Sequence, residues 1–334
     1  MTQDVVDWLL ESDPAMRWQV MRDLLDAPES EWQAERARIE TEGWGARLFA
    51  LQGDDGQWAG GAFVPAGFTE QKWREEGQPW TATCWVLAQL REFGLEPTAA
   101  RSLRTARLVG DHSRWDHDGQ PYWEGEVEEC INGRTVADGA YFGVDVTPIV
   151  QRLLGERQVD GGWNCERANG SRVSSFDTTI SVLEGLLQYE RSAGSTDQTR
   201  DARRGGEEFL LCRDLYRRLS TGAPADPQYL EFTHPNHWRY DILRALDYFR
   251  SASSFCGTAA DPRLAAAITH VRAKRQADGR WLMDWAARGA RWFDLDEGPG
   301  RPSRWITLRA LRVLKWWEAI NENVAGTGSS SIAS

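Results

Sequence analysis

Three loops of this chain repeat one short pattern. Gln52-Gly-Asp-Asp55-Gly56-Gln-Trp58, Gln158-Val-Asp160-Gly161-Gly-Trp163 and Gln276-Ala-Asp278-Gly279-Arg-Trp281 all read Q-x(1,2)-D-G-x-W. Asp118-Gly119 ahead of Trp123 is a degenerate fourth candidate. Self-similar turns at wide intervals mark a repetitive architecture. Each residue has a task in such a turn. Gly takes the left-handed conformation that ends a helix. Asp supports the turn, Trp covers the end of a hairpin, and Gln ties neighbouring loops. The first expectation is therefore structural: these residues are staples of a repeat protein.

Between the loops the apolar spacing is helical. Asp13-Pro14 combines a cap with a first-turn proline, and Trp18, Met21 and Leu24 follow at helical intervals. Trp80 to Leu90, Val144 to Leu154, Ser174 to Leu187, His237 to Phe249 and Ser303 to Trp317 are apolar over most of their circumference, as buried helices are. Glu31 to Glu42, Thr98 to Leu108, Glu207 to Leu219 and Pro262 to Gln276 are more charged and read as outward-facing. No segment alternates with period two, so strands are expected to be few.

The chain has 334 residues, 41% of them hydrophobic and 27% charged, which excludes a disordered or low-complexity chain. That length suits one large domain, expected over residues 1–322, with a Gly/Ser-rich flexible tail over 323–334. The net charge of −11 argues against a nucleic-acid partner, which needs a basic stripe. Five cysteines (Cys84, Cys130, Cys165, Cys212 and Cys256) form no CxxC pair, and an odd set fits a reducing, cytoplasmic setting. No basic leader and no apolar run of membrane-spanning length stands out. The 18 Trp are a large supply of cavity wall and stacking surface.

The repeated loops resemble the QW motif of squalene–hopene cyclases, oxidosqualene cyclases and protein prenyltransferase β subunits. Leu48 and Leu154, four residues before Gln52 and Gln158, fit that motif's apolar position, whereas the third copy has Arg272 there. The resemblance spans residues 14–317 and implies an all-α fold. It would be a single α/α toroid, with inner and outer helices alternating around a central, aromatic-lined cavity.

One stretch carries the resemblance toward chemistry. Asp138-Gly-Ala140-Tyr141-Phe142 is similar to the D-G-C-Y-S-F segment that supplies two zinc ligands in prenyltransferase β subunits. Gly161-Gly-Trp163-Asn-Cys165 stands where that family has G-G-L-x-D-K, and Ser174 to Thr178 where it has D-x-Y-H-T. Asp138 matches a ligand position, but Ala140 replaces the family's Cys and Asp177 its His. Cys130 and Cys165 are the residues able to restore a site, because zinc takes thiolate and carboxylate ligands. The expected metal set is Cys130, Cys165 and Asp177, with Asp138 as a ligand or just behind one. Against it stands a plain reading: both Cys are small buried hydrophobes, and Ser174-x-x-Asp177 is a capping box that starts a helix.

Class II terpene cyclases instead protonate their substrate with a D-x-D-D acid. Phe176-Asp177-Thr178-Thr179 resembles the tail of the D-x-D-T-T variant, and Asp294-Leu-Asp296-Glu297 resembles D-x-D-D with its last Asp changed. The chain is about half the length of such a triterpene cyclase. A third cluster is His237, Asp241, Arg244 and Tyr248, spaced to share one helix face. It offers an acid/base imidazole with a carboxylate orienter, or else an ordinary Asp241–Arg244 pair. The acidic run Glu124, Glu126, Glu128 and Glu129 contains no D-D-x-x-D and reads as a solvated face. Phosphate loops, nucleophile elbows and H-E-x-x-H are absent.

The resemblance thus implies a cyclase-like or prenyltransferase-like enzyme acting on an apolar, isoprenoid-like substrate in a Trp-lined central cavity. Asp177, Asp138, Asp241 and His237 are the candidate catalytic residues. The alternatives are a zinc enzyme of another reaction class, a non-catalytic module for an apolar ligand or protein, and a carbohydrate-active α/α barrel.

Overall fold

A computed structural model describes residues 2–328. Its α-helices, in chain order, are α1 (Gln3–Leu10), α2 (Pro14–Asp23), α3 (Glu29–Ala37), α4 (Gly43–Ala50), α5 (Glu70–Glu76), α6 (Thr83–Phe93), α7 (Ala100–His112), α8 (Glu129–Tyr141), α9 (Thr147–Gly155), α10 (Phe176–Ala193), α11 (Asp197–Leu211), α12 (Ile242–Cys256), α13 (Ala265–Ala273) and α14 (Arg304–Gly328). The fold is all-α, and among the described residues only isolated β-bridges interrupt the helices and loops. No described helix is long and apolar enough to cross a membrane.

The even-numbered helices touch in sequence: α2 meets α4, then α6, α8, α10, α12 and α14 follow, and α14 returns to α2. This is a closed circuit, the contact order of an α/α toroid. Its closure is polar. Arg312 on α14 donates to the Gln19 side chain at 3.0 Å, and Lys315 donates to the Asp23 carbonyl at 3.2 Å. Five of the odd helices pack on ring helices: α1 and α3 on α2, α9 on α8, α11 on α10 and α13 on α12.

The three repeated loops are built alike. The indole N–H of Trp58, Trp163 and Trp281 donates to the carbonyl ten residues back, of Leu48, Leu153 and Val271, at 2.7, 2.7 and 2.8 Å. The backbone N–H of each same Trp donates to a threonine hydroxyl on the next ring helix, Thr83, Thr179 or Thr307. All three indoles are fully buried. Gly56, Gly161 and Gly279 have φ of 84°, 100° and 89°, where a side chain is strained. Each loop therefore ties the end of the preceding helix, α4, α9 or α13, to the following ring helix. The Asp118-Gly119 turn is different. Both residues have positive φ, as in a tight hairpin, and Trp123 instead donates to Ala106 seventeen residues back.

Ring helix α8 is absent from the segments that apolar spacing marks. It carries acids and two glycines, and it is held by close approach rather than by a greasy stripe. A Cβ on Gly133 would stand 2.6 Å from the Ser181 carbonyl oxygen, and one on Gly185 would stand 2.3 Å from that of Gly133. The α8 and α10 backbones are thus in direct contact. Other boundaries also shift. In the expected segment 144–154 helix α9 begins only at Thr147, and it packs on α8. Helix α11 stops at Leu211, and Asp214 and Leu215 turn the chain with positive φ. Helix α14 runs through the first part of the expected tail, and 329–334 lie outside the described residues.

Candidate functional site

Two cavities adjoin inside the ring. The first, about 230 Å³, is walled by residues from six of the seven ring helices, all but α4. It is lined mainly with ions, with Trp85 beside them. Arg91 bonds Asp138 at 2.7 Å behind the wall, Arg244 grips Glu184 through two bonds of 2.8 and 2.7 Å, Arg309 pairs with Glu92, and Arg312 with Asp247. Burial raises the Glu92 carboxyl, but Arg309, His234 and Arg91 outweigh it and hold the group down to about 2. The aromatic cavity expected at the centre is instead the second, off-centre one. It measures about 460 Å³, and Phe63, Trp73, Trp85, Trp115 and Trp238 form much of its wall. Trp85 and Arg134 belong to both cavities.

The polar part of the second cavity is a cluster of Glu128, Cys130 and Cys165. One carboxylate oxygen and both sulfurs lie within 4.8 Å of one another. Local structure explains the meeting. Glu128 is the N-cap residue of α8, and Cys130 sits in that helix's first turn. Cys165 opens a short 3-10 turn, Cys165–Arg167, whose cap Asn164 accepts the Glu166 N–H at 3.0 Å. The Cys165 N–H donates to the Thr178 hydroxyl at 3.2 Å, and the Thr178 N–H donates to Ser175, the cap of α10, at 3.1 Å. Both sulfurs therefore lie beside the N-terminal ends of packed helices, where partial positive charge favours anions.

The thiols are inequivalent. Cys130 donates to Glu128 Oε2 at 3.4 Å. Hydrogen bonding from Cys130, helped by Thr178, lowers the Cys165 thiol to about 7 against the effect of burial. The bond to Cys165 and burial push Cys130 well up. Burial, with Glu126 and Glu166 nearby, raises the Glu128 carboxyl. All five cysteines are free thiols.

The other sequence candidates have different places. Asp177 borders the aromatic cavity but is not part of the metal-competent group. Its carboxylate accepts the Tyr240 N–H at 2.7 Å and the Tyr229 hydroxyl at 3.1 Å, tying the loop before α12 to α10. Ser175, not Ser174, caps that helix. Asp138 is fully buried on Arg91 and lines neither cavity. Desolvation raises its carboxyl. Asp241 is also buried, and it caps α12 by accepting the Arg244 N–H at 2.8 Å. Because α12 begins after that cap, His237 lies in the preceding loop with φ of 50° and shares no helix face with Asp241. The His237 ring stacks on Trp80 at 3.8 Å, and burial, with Arg134 beside it, holds the imidazole well below its usual range. Asp296 caps the start of α14, accepting from the Ser303 hydroxyl at 2.6 Å and the Arg304 N–H at 2.9 Å. Burial raises its carboxyl to about 6.

Sequence spacing brings out neither Glu128 as a member of the cluster nor Arg134. Glu128 is hidden in an acidic run, and Arg134 is an isolated arginine on an unmarked helix.

No protein-family model matches the chain, and no curated protein matches it. A crystal structure of a protein from Actinoplanes aligns over 92% of this chain and 90% of its own, with 16% identity and a TM-score of 0.44.

Proposed function

We propose that the chain is an enzyme for an apolar, isoprenoid-like molecule held in the off-centre aromatic cavity, with zinc held by Glu128, Cys130 and Cys165 at the cavity's polar side. The observation that carries this reading is the convergence of two thiols and a carboxylate within 4.8 Å on an aromatic-walled space of about 460 Å³. Small-molecule sites commonly enclose about 300 to 1,000 Å³ behind apolar walls with few polar groups.

The donor set fits zinc. Sulfur and carboxylate ligands suit it, and three protein ligands leave the open position of a catalytic site. When bound, zinc supplies Lewis acidity or a metal-stabilised nucleophile. The chain's own part is to hold the ligand body against Trp85 and Trp115, exclude water, and keep Cys165 ready to lose its proton. This reading is favoured over Brønsted-acid cyclisation because both candidate acids are otherwise engaged. Asp177 holds Tyr240 and Tyr229, and Asp296 holds Ser303 and Arg304.

The test is elemental analysis of protein purified without chelator or affinity metal, then after zinc reconstitution. About one zinc per chain, lost in Cys130→Ser and Cys165→Ser, supports the site. Metal-free protein after reconstitution rejects it. Quenching of Trp fluorescence by a long-chain alcohol tests the apolar cavity separately.

A further inference from the structure

At the boundary between the two cavities, three guanidinium groups meet two carboxylates. Arg91 is answered by Asp138 and Arg244 by Glu184, each at 2.7 Å. Among the described residues, no carboxylate lies within ion-pair distance of Arg134. Its guanidinium donates to the His237 carbonyl and lies 4.9 Å from the Trp85 ring centre. Neither partner neutralises it. His237 adds no charge, because its imidazole is held in the neutral form. A cation withdrawn from water is costly unless it is paired. Desolvation and the like charge of Arg244 weigh against the Arg134 cation, and Asp138 and Glu184, beyond ion-pair distance, offset them only in part. The fold nevertheless places it in the wall of the aromatic cavity.

We propose that Arg134 binds the single carboxylate of an amphipathic ligand whose hydrocarbon or aromatic body fills the aromatic cavity. The inference rests on the reading of that cavity as an apolar-ligand site. One unanswered charge calls for a monoanion. A planar guanidinium matches a carboxylate through two parallel hydrogen bonds. A diphosphate would bring charge for which Arg91 and Arg244, already paired, have nothing left. Arg134 stands one helical turn beyond Cys130 on α8, and both side chains line the cavity. A carboxylate on Arg134 therefore presents its nearest carbons, not the far end of the chain, to the sulfur pair.

The test compares dodecanoate, dodecanol and dodecyl phosphate by titration calorimetry and Trp quenching on the full chain. Wild-type protein should bind dodecanoate about tenfold or more tightly than dodecanol, a ratio that a charge-assisted contact readily supplies. Arg134→Met should bring dodecanoate down to the level of dodecanol and leave dodecanol within about twofold, which also reports that the variant is folded. Should Arg134→Met not fold, Arg134→Lys takes its place: it keeps the charge, loses the fork, and should lose part of the ratio. Equal binding of acid and alcohol by wild type overturns the carboxylate assignment and leaves the apolar cavity standing. Preference for dodecyl phosphate by about tenfold also overturns it, in favour of a phosphate head. Failure of all three probes to bind overturns the cavity reading itself.

Discussion

The sulfurs of Cys130 and Cys165 approach within 4.8 Å although one belongs to the first turn of α8 and the other to the turn before α10. The nearby Cys130 thiol lowers Cys165, and Cys165 together with burial raises Cys130. In metal-free protein, iodoacetamide should label Cys165 first, at a rate rising with pH through about 7. Cys130→Ala removes the donor and should move that midpoint up toward an ordinary thiol. Peptide mapping by mass spectrometry over a pH series decides this. First labelling at Cys130, or a midpoint unmoved by the substitution, contradicts the pairing. Added zinc should slow labelling of both.

Asp177 should behave as a tie and not as a ligand. Its two hydrogen bonds hold Tyr240 and Tyr229 to the start of α10. Asp177→Asn keeps one acceptor and loses the charge, so about 1 to 2 kcal/mol of stability should go, with zinc content unchanged. Urea unfolding and elemental analysis on the same preparation separate the two effects. A folded variant that has lost its zinc would return Asp177 to the ligand set.

The repeated indoles carry a measurable load. Trp163→Phe removes buried surface and leaves the Leu153 carbonyl without the bond it accepts at 2.7 Å. Together these should cost about 2 to 3 kcal/mol. Thr179→Val cuts the second half of the same staple and should cost about 1 kcal/mol. Trp73→Phe is the control: that residue is 41% exposed, and the change should stay within about 0.5 kcal/mol. Equal losses at Trp73 and Trp163 in urea unfolding would deny the staple its role.

The repeat was legible because each turn carries its own chemistry: a left-handed Gly, a turn Asp and a Trp in one short window. The helices with greasy faces were legible for the same local reason. What stayed hidden depends on pairs distant in sequence. Helix α8 escaped because Gly133 earns its place only against Ser181 and Gly185 on α10. Asp138 and Asp241 look like free carboxylates until Arg91 and the α12 N-terminus are seen to take them. The apolar run reaches back to His237 and predicts a helix there, while the Asp241 cap starts the helix later. Cys130 and Cys165 are recognisable in the sequence as a thiol pair; the structure adds Glu128 beside them, while Asp177 bonds Tyr240 and Tyr229. Glu128 is only two residues from Cys130, but a run of acids gives no hint of which one meets the sulfurs: Glu126 and Glu129 are the buried ones, and Glu128 stays exposed.

A final prediction concerns His234, which is 3% exposed and stacks on Trp305 at 4.7 Å. Neither ring nitrogen has a hydrogen-bond partner. Burial lowers the imidazole to about 3. Glu92 opposes the shift, while Arg309 and Arg312 reinforce it. Glu92 itself stays ionised across the window that matters, being held down to about 2. A base depressed in the folded state binds fewer protons there than when unfolded. Its contribution is therefore intact above about pH 6.5 and is lost as pH falls toward about 3, at about 1.4 kcal/mol per pH unit. His234→Phe keeps the stacking on Trp305 and has no proton to take up. The variant should match wild type near neutrality and exceed it by about 2 to 3 kcal/mol near pH 4.5. Other groups contribute to acid unfolding in both proteins, so the difference between their urea-unfolding curves isolates this imidazole. Curves that run parallel from pH 8 to 4.5 would mean that His234 titrates as an ordinary histidine.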